Sequence, residues 1–126
     1  MQLLYFQLLL RRSRYLLFAS YTKYVSRIKQ QIAVIESFKC KETKRIWNGR
    51  RSLKLPENIQ NKALRKLRQI NAAQNIMDLR NPLGNKLEAL KGDRKRQYSI
   101  RIDRQWRICF VWNDGKVNDV EIVDYH

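Results

Sequence analysis

The sequence predicts an α+β fold, with two helices packed on one face of a small twisted antiparallel sheet in the order β-α-α-β-β-β. Apolar residues recur every three or four positions over about 57–73, whereas from Tyr98 onward they alternate with polar residues. The tetrapeptide "NDGK" at 113–116 is a hairpin signal between two alternating segments. Because the helical segments precede the hairpin strands, we expect the helices to lie together on one side of the sheet.

The first half of the fold is expected to begin near Val34. "VIESF" predicts a first strand, and "KETKRIWNG" predicts a short helix that ends at Gly49, since glycine readily takes the left-handed conformation that follows helices. After the basic linker "RRSLKL", Pro56 stands at a plausible helix start. "NPLGN" at 81–85 predicts a loop. The apolar stripe of the second helix consists of Ile59, Ala63, Leu67 and Ile70.

Three strands complete the predicted sheet, the last of them "VNDVEIVDY". In such a sheet one face packs on the helices and the other meets solvent. We expect Arg107, together with Ser99 and Arg101, to project from the open face. The large apolar residues expected on the helix side are Trp106, Ile108 and Phe110.

Residues 1–33 differ in composition from the rest of the chain. Residues 1–35 contain six basic residues and no acidic one. The run "LLYFQLLL" is too short to span a bilayer, and it lacks the charge order of a secretory signal. Two interpretations stay open: upstream sequence preceding a native start near Val34, or a basic amphipathic helix on a membrane surface. We therefore expect residues 34–126 to form the folded domain without help from residues 1–33.

The charge balance indicates a polyanionic partner. The chain has 126 residues, which fits one domain, and a formal net charge of +16. Such a charge favours nucleic acid, a ribosome or an anionic membrane surface. Cys40 and Cys109 lack CxxC spacing, which argues against a disulfide scaffold or a zinc site and fits a reducing cytosol. With one histidine and scattered acids, the sequence predicts no metal site and no cofactor.

The predicted open face gathers groups that could cleave RNA. "LKGDRKRQ" at 90–97 adds Lys91, Arg94, Lys95 and Arg96 beside it, and the last strand delivers Asp124, Tyr125 and His126. Metal-free cleavage requires the 2′-OH to lose a proton, the leaving 5′-oxygen to gain one, and cations to stabilise the phosphorane. His126 is the natural proton carrier. The residues alone leave two functions open, a metal-free ribonuclease and plain nucleic-acid binding.

Two long segments resemble a known family. "NKLEALKGDRKRQYSIRIDRQWRICFVW" and "DVEIVDYH" resemble the HigB toxins of the RelE/ParE toxin–antitoxin superfamily, and "SFKCKETKRIWNG" and "KLPENIQNKALRKLRQINAA" look like the first strand and helix pair of that family. The resemblance covers about residues 34–126. It implies a cytoplasmic bacterial, ribosome-dependent endoribonuclease that cuts mRNA in the small-subunit decoding site. It also implies a HigA-type antitoxin partner with a helix-turn-helix domain, and no membrane partner except through residues 1–33.

The resemblance assigns roles position by position. Lys91 matches the lysine of the family's "LKG" motif, Arg107 matches the arginine of "WRI", and Asp124, Tyr125 and His126 match the terminal "DYH" implicated in cleavage. The positive charges expected to bind RNA or the ribosome are Arg94, Lys95, Arg96, Arg101 and Arg104.

The chain departs from the family pattern at three positions. Glu88 stands where some relatives have a histidine, Arg96 where glycine is common, and Arg104 where an acid is usual. Two other functions therefore stay open. One is a gyrase inhibitor of the ParE type, against which the retained "DYH" and Lys91 speak. The other is a non-catalytic RNA-binding or antitoxin-binding module, including a toxin that has lost activity.

Overall fold

The computed structural model describes residues 33–125 and has the predicted α+β architecture. Strand β1 (Val34–Ile35) is followed by helices α1 (Lys41–Trp47) and α2 (Glu57–Ala72), and then by β2 (Glu88–Ala89), β3 (Gln97–Arg101), β4 (Trp106–Asn113) and β5 (Lys116–Asp124). Short 3-10 helices span Ile76–Arg80, Leu83–Asn85 and Gly92–Arg94. The predicted extension and His126 lie outside the described residues, apart from Ala33.

The sheet has five strands in the order β1-β5-β4-β3-β2. The pairs β2–β3, β3–β4 and β4–β5 are antiparallel, but β1 runs parallel to β5. The prediction of a wholly antiparallel sheet was therefore wrong at one edge. The reason is topological, because two helices connect β1 to the meander and bring the chain back in the same direction. Strand β2 was also not predicted, since a pair of residues carries no alternation signal.

Both helices begin and end where the sequence indicates. Gly49 follows α1 with φ of +78°, the left-handed conformation expected of a residue that ends a helix. Helix α2 starts directly after Pro56. The four residues of its apolar stripe are all buried: Ile59, Ala63, Leu67 and Ile70.

The core lies between these helices and the sheet. Ile100, Ile108 and Phe110 are fully buried on the helix side, as predicted from the alternation. Hydrogen bonds also connect the helices to the sheet. The Ile122 amide of β5 donates to Thr43 Oγ1 of α1 at 2.9 Å. The Ile35 amide likewise donates to Asn71 Oδ1 of α2, also at 2.9 Å. The helix pair is thus tied to both β1 and β5.

The predicted hairpin joins β4 and β5. Asp114 and Gly115 have φ of +49° and +83°, which is the pair of positive angles that a type I′ turn requires. The register between β4 and β5 shifts between Cys109 and Val111. Asp119 in β5 also has a positive φ. The predicted loop at 81–85 contains a cis Asn81–Pro82 bond and the Leu83–Asn85 3-10 turn.

The first described residue belongs to the core. Ala33 is fully buried, and its amide donates to the Ala73 carbonyl at 2.7 Å. The boundary between an extension and the domain stays a prediction, but any truncation that tests it should keep Ala33. Within residues 33–125, no helix is long and apolar enough to cross a bilayer.

Candidate functional site

The face of the sheet opposite the helices carries two of the residues predicted to act on RNA, Arg101 and Arg107. Asp124 was expected on this face, but it pairs with Trp106, which packs on the core, and therefore points to the other face. Directly paired residues of neighbouring strands point to the same side, so the register defines two rows. Ser99, Cys109 and Glu121 form one row, and Arg101, Arg107 and Val123 form the next. Arg107 therefore lies on the predicted face, in β4, which is the central strand of the sheet.

Arg107 is buried, which corrects the expectation that it projects into solvent. Only 4% of its surface is exposed. The correction has a physical reason, because the C-terminal segment and the segment that precedes β2 cover this part of the face. Alternation specified the side of β4 to which Arg107 points, but it carried no information about what lies above it.

The guanidinium of Arg107 is held from one side by the protein. Its Nε donates to Ser99 Oγ at 2.8 Å, and its Nη2 donates to the Lys86 carbonyl at 2.6 Å and the Ser99 carbonyl at 3.3 Å. Glu88 Oε2 lies 3.9 Å from Nη2. Among residues 33–125, no hydrogen bond involves Nη1. These contacts fix the orientation of the fork.

Tyr125 lies over the same guanidinium. The Cζ atom of Arg107 is 5.4 Å from the centre of the Tyr125 ring, within the range of a cation–π contact. The Tyr125 amide donates to the Gln105 carbonyl at 2.7 Å, which fixes the backbone just after β5. Tyr125 as a residue is 42% exposed. Tyr125 thus contacts Arg107 while it keeps surface for a ligand.

Asp124 is positioned at the same end of the sheet. It pairs with Trp106 in the register of β4 and β5, and its Oδ2 accepts from Gln105 Nε2 at 3.0 Å. Its side chain is exposed. The turn residue Gln105 therefore contacts both Asp124 and Tyr125, and sequence reasoning had not singled it out.

Arg94 is engaged in contacts within the protein. Its Nη1 lies 2.7 Å from Glu121 Oε1 and 3.1 Å from Gln97 Oε1. Glu121 raises the pKa of Arg94 above its usual value, chiefly through this hydrogen bond. Lys39 Nζ approaches the same Glu121 oxygen at 3.8 Å. Because Glu121 belongs to β5, Arg94 holds the segment before β3 across the open face, and its predicted contact with RNA stays a prediction.

Cys109 lies beneath this ion pair. Its thiol is fully buried, and burial raises its pKa, although Arg94 and Arg107 act in the opposite direction. Cys40 and Cys109 are both free thiols. A neutral Cys109 thiol therefore forms part of the floor on which the arginines lie.

The remaining predicted cations are spread over the rim. Arg101 pairs with Arg107 in the register of β3 and β4 and is half-buried. Lys91 is exposed at the start of the 3-10 turn Gly92–Arg94. It lies near the end of β3 that is remote from Arg101. Lys95 and Arg96 follow in the same segment, and Arg104 lies in the turn before β4; all three are exposed.

The structure thus brings Arg107, Tyr125 and Asp124 to one end of the sheet and places Lys91 nearer the other. His126 lies outside the described residues, so its predicted role in proton transfer stays a prediction. Ser99 and Glu121, which orient the two arginines, were not predicted as site residues. Ser99 and Glu121 both pair with Cys109 in the neighbouring strands. Only the strand register of the folded sheet reveals this pairing. In the part of the chain that the structure describes, no three His, Cys, Asp or Glu residues are grouped to hold a metal ion.

Comparison with known proteins identifies relatives for most of the chain. The family model described as "RelE-like toxin of type II toxin-antitoxin system HigB" matches residues 36–126. The chain is 46% identical over 61 residues to Toxin HigB-1 of Vibrio cholerae serotype O1, which covers 48% of this chain and 64% of that protein. It is 31% identical over 93 residues to Endoribonuclease HigB of Proteus vulgaris, covering 74% of this chain and 100% of that protein.

A third relative is an uncharacterized protein of Haemophilus influenzae, 39% identical over 67 residues, which cover 53% of this chain and 66% of that protein. The match therefore spans slightly less than two thirds of the length of the Vibrio cholerae and Haemophilus influenzae proteins. It spans the whole of the Proteus vulgaris protein.

Proposed function

This chain belongs to the HigB-like family of RelE-like toxins of type II toxin–antitoxin systems, and we propose that it is an endoribonuclease that cleaves mRNA on the ribosome. The relative named Endoribonuclease HigB supports the reaction class. The observation that carries the proposal is the Arg107–Tyr125 pair, in which a buried guanidinium, oriented by Ser99 and the Lys86 carbonyl, lies beneath the half-exposed Tyr125.

The chemistry follows from what a phosphodiester needs. The 2′-oxygen of one nucleotide attacks the adjacent phosphorus and loses its proton. The bond from phosphorus to the 5′-oxygen breaks, and that oxygen gains a proton. The products are a 2′,3′-cyclic phosphate and a free 5′-hydroxyl. One general base, one general acid and a cation close to the phosphoryl oxygens are sufficient for this reaction.

Arg107 and Lys91 are the cations that we assign to the phosphorane. A guanidinium that is already oriented by Ser99 and the Lys86 carbonyl needs little reorganisation as negative charge develops, and such preorganised donors are worth roughly 10²–10³ in rate each. Lys91 is exposed nearer the other end of the sheet, so in this scheme its side chain would have to extend toward the phosphate that Arg107 contacts. The charge in this scheme is thus neutralised by side chains of the protein.

The two proton transfers are assigned to His126 and its neighbours. An imidazole changes its charge near neutral pH, so it can act as either acid or base. Asp124 and Tyr125 come directly before it in the chain, and Tyr125 also offers a plane on which a base of the mRNA can stack. Asp124 would orient the imidazole or the attacking hydroxyl.

Two partners complete the proposal. The charge of +16 suits the small-subunit decoding site, where mRNA and ribosomal RNA together present a dense polyanion. A toxin of a type II system is neutralised by a protein, and we propose a HigA-type antitoxin with a helix-turn-helix domain. An antitoxin that covers the Arg107–Tyr125 end of the sheet, or blocks entry to the ribosome, would suppress cleavage.

The test is single-turnover cleavage of mRNA on programmed ribosomes by the wild-type chain and by His126→Ala. We expect the variant to cleave about 10²-fold or more slowly. Ribosome binding should change little, because one neutral imidazole contributes little to a polyanion contact. Arg68→Ala, on the exposed surface of α2, serves as the matched surface control.

Other outcomes identify the other candidates. Near-wild-type cleavage by His126→Ala removes the histidine from the mechanism. If the wild-type chain binds ribosomes tightly and cuts no mRNA, the non-catalytic binding module is the better description. Inhibition of gyrase supercoiling without cleavage of mRNA would identify the ParE-type function instead.

A further inference from the structure

A cleft lies at the end of the sheet remote from the Arg107–Tyr125 pair. It has a volume of about 470 Å³ and is formed where β2, β3 and β4 meet. The residues that line it include Tyr98 and Trp112, which the register places on the helix side of the sheet, Gln97 and Asn113, which it places on the other side, and Arg96 directly before β3. The mechanism above uses none of these five residues.

The aromatic walls of the cleft are held in place by the core. Tyr98 stacks on the buried Phe110, with ring centres 6.4 Å apart and planes 28° apart. Trp112 also packs partly against the core and is half-buried. The cleft therefore offers rigid aromatic surface, which an incoming planar group could contact without first ordering a flexible side chain.

Arg96 reaches the cleft from a strained backbone. Its φ is +77°, in the left-handed region where glycine, asparagine and aspartate are favoured and arginine is not. Such conformations are retained when something outweighs their cost, and they concentrate at ligand sites. The strain fits the departure seen in the sequence, where arginine replaces a residue that is commonly glycine.

The charge of the cleft favours an anion. None of the residues that line it is acidic, and Arg96 provides one positive charge. Aromatic residues and an arginine together can hold a nucleotide, because a ring stacks on the base and the arginine contacts phosphate.

The cleft and the proposed active site share two strands. Gln97 lines the cleft, and Arg101, four residues further along β3, pairs with Arg107. At the usual rise per residue, the two sites are separated by roughly 13 Å along the sheet. Tyr98 and Trp112 point to the face of the sheet opposite to that of Arg107, so one single strand of RNA that occupies both sites would have to pass around the edge of the sheet.

We propose that this cleft is a nucleobase subsite for single-stranded RNA, in which Trp112 stacks on the base and Arg96 contacts a phosphate. The subsite rests on the proposed function for its biological substrate, but its binding can be measured without cleavage. It would select the nucleotide that flanks the cleaved position and would leave the chemical step to Arg107 and His126.

The experiment compares two probes on the full-length chain. One is a short single-stranded 2′-O-methyl RNA, which cannot be cleaved because it lacks the nucleophilic hydroxyl. The other is an oligonucleotide of the same length and charge in which every nucleotide is abasic. We expect the wild-type chain to bind the RNA at least about tenfold more tightly than the abasic probe, since stacking of each base contributes substantially. Equal affinity for the two probes would overturn the proposal.

Variants of the cleft residues separate the contribution of the aromatic ring to base preference from the contribution of the positive charge to binding. Trp112→Leu should abolish the preference for bases, whereas Trp112→Phe, which keeps an aromatic ring, should retain most of it. Arg96→Gly should weaken binding to both probes, yet raise the melting temperature by a few degrees because it relieves the strained φ. Arg68→Ala on α2 removes the same charge and should move neither the base preference nor the melting temperature.

The outcomes distinguish the subsite from the proposed function. If the wild-type chain fails to cleave mRNA but discriminates bases through Trp112, the subsite stands and the endonuclease proposal fails. If mRNA is cleaved while Trp112→Leu and Arg96→Gly leave RNA binding unchanged, the subsite is wrong. Loss of antitoxin binding in these variants, with RNA binding intact, would show that the cleft is a protein contact and would also overturn the proposal.

Discussion

Arg107 shows how a buried cation can serve a catalytic role. It is placed centrally in the sheet, and the protein satisfies Nε and Nη2 through Ser99 and the Lys86 carbonyl. A charge taken out of water is costly unless it is hydrogen-bonded, so these contacts stabilise the guanidinium as well as orient it. The guanidinium is thereby oriented before substrate arrives.

Ser99 is therefore expected to act as a positioning residue. Ser99→Ala leaves the Arg107 Nε without its hydroxyl partner, and we expect a loss of about 1–3 kcal/mol in the free energy of unfolding. Single-turnover cleavage should fall as well, because the fork loses one of the three hydrogen bonds that orient it. Urea unfolding and ribosome-programmed cleavage measure the two effects.

Ser99→Thr is the matched control, since it keeps the hydroxyl, and it should restore the cleavage rate more than it restores stability. An alanine variant as active and as stable as the wild-type chain would contradict the positioning role of Ser99.

Arginine at position 107 should not be replaceable by lysine. An ammonium keeps the charge but cannot make the planar set of contacts to Ser99 and Lys86. We expect both Arg107→Lys and Arg107→Met to lower the rate of the chemical step by about 10²-fold or more, with smaller effects on ribosome affinity. Neutralising Lys91 should have the same signature.

The peripheral cations should behave in the opposite way. Neutralising Lys95 or Arg104 should weaken ribosome binding and flatten its dependence on salt, because fewer counterions are released. Its effect on single-turnover cleavage at saturation should be small. If all four substitutions, at Lys91, Lys95, Arg104 and Arg107, weakened binding in parallel, the division between catalytic and peripheral charges would be wrong.

The buried Cys109 thiol gives stability a dependence on pH. Its pKa is raised above the ordinary value of 9.0 by burial, so above about pH 9 the unfolded chain releases the thiol proton more readily than the folded chain. Stability from this group is thus present below pH 9 and is lost as pH rises through the folded pKa. Lys66, whose pKa is lowered by burial, acts in the opposite direction at alkaline pH.

The comparison with Cys109→Ala isolates the contribution of the thiol. We expect the difference in unfolding free energy between the wild-type chain and the variant to shrink as pH rises from 8 to 10.5, because only the wild-type chain loses the thiol term. Denaturant unfolding at several pH values measures it. A difference that stays constant over this range would show that the thiol contributes no pH dependence.

At the scale of elements, the segment from Lys91 to Arg96 is held over the sheet by one ion pair. Arg94 spans from this segment to Glu121 on β5, and Lys39 adds a weaker contact from the segment after β1. Arg94, Glu121 and Lys39 thus connect three segments that are far apart in the chain. The ion pair also sets where Lys91 and Arg96 lie relative to the sheet.

A double-mutant cycle on Arg94→Gln and Glu121→Gln tests this link. Because the two groups are in direct contact, we expect a coupling free energy of about 0.5–3 kcal/mol in denaturant unfolding. Amide hydrogen exchange over residues 91–96 should become faster in each single variant. Additive effects without faster exchange would mean that the segment is held by other contacts.

At the scale of the whole molecule, the open question is the segment before the domain. Ala33 is buried and bonded to Ala73. A chain that begins at Ala33 should therefore unfold within about 1 kcal/mol of the full-length chain, as expected of a change that removes no core contact. A chain that begins at Val34 loses this buried contact and should be less stable. Thermal and denaturant unfolding of both truncations provide the measurement.

The same truncation tests the function of residues 1–32. Ribosome-dependent cleavage should survive their removal. If the truncated chain unfolds, or if only the full-length chain associates with anionic lipid vesicles, the upstream-sequence interpretation is wrong and the segment has a role of its own.

The sequence by itself was sufficient to predict the periodic helices and strands and the side to which their residues point. The stripe Ile59–Ile70, the alternation in β3 and β4, and the Asp-Gly turn correctly predicted α2, these two strands and the hairpin, because each rests on local spacing or turn chemistry. The resemblance to HigB toxins, carried by "LKG", "WRI" and "DYH", correctly indicated the family.

Only the tertiary structure decided what covers each face and which distant residues meet. The parallel pairing of β1 with β5, the burial of Arg107 under Tyr125, and the ion pair of Arg94 with Glu121 all depend on segments far apart in the chain. A period of two specifies the side of a strand to which a residue points, but the register of non-neighbouring segments and the path of loops set its partners. Whether an arginine on the open face is solvated or buried is therefore a property of the assembled fold.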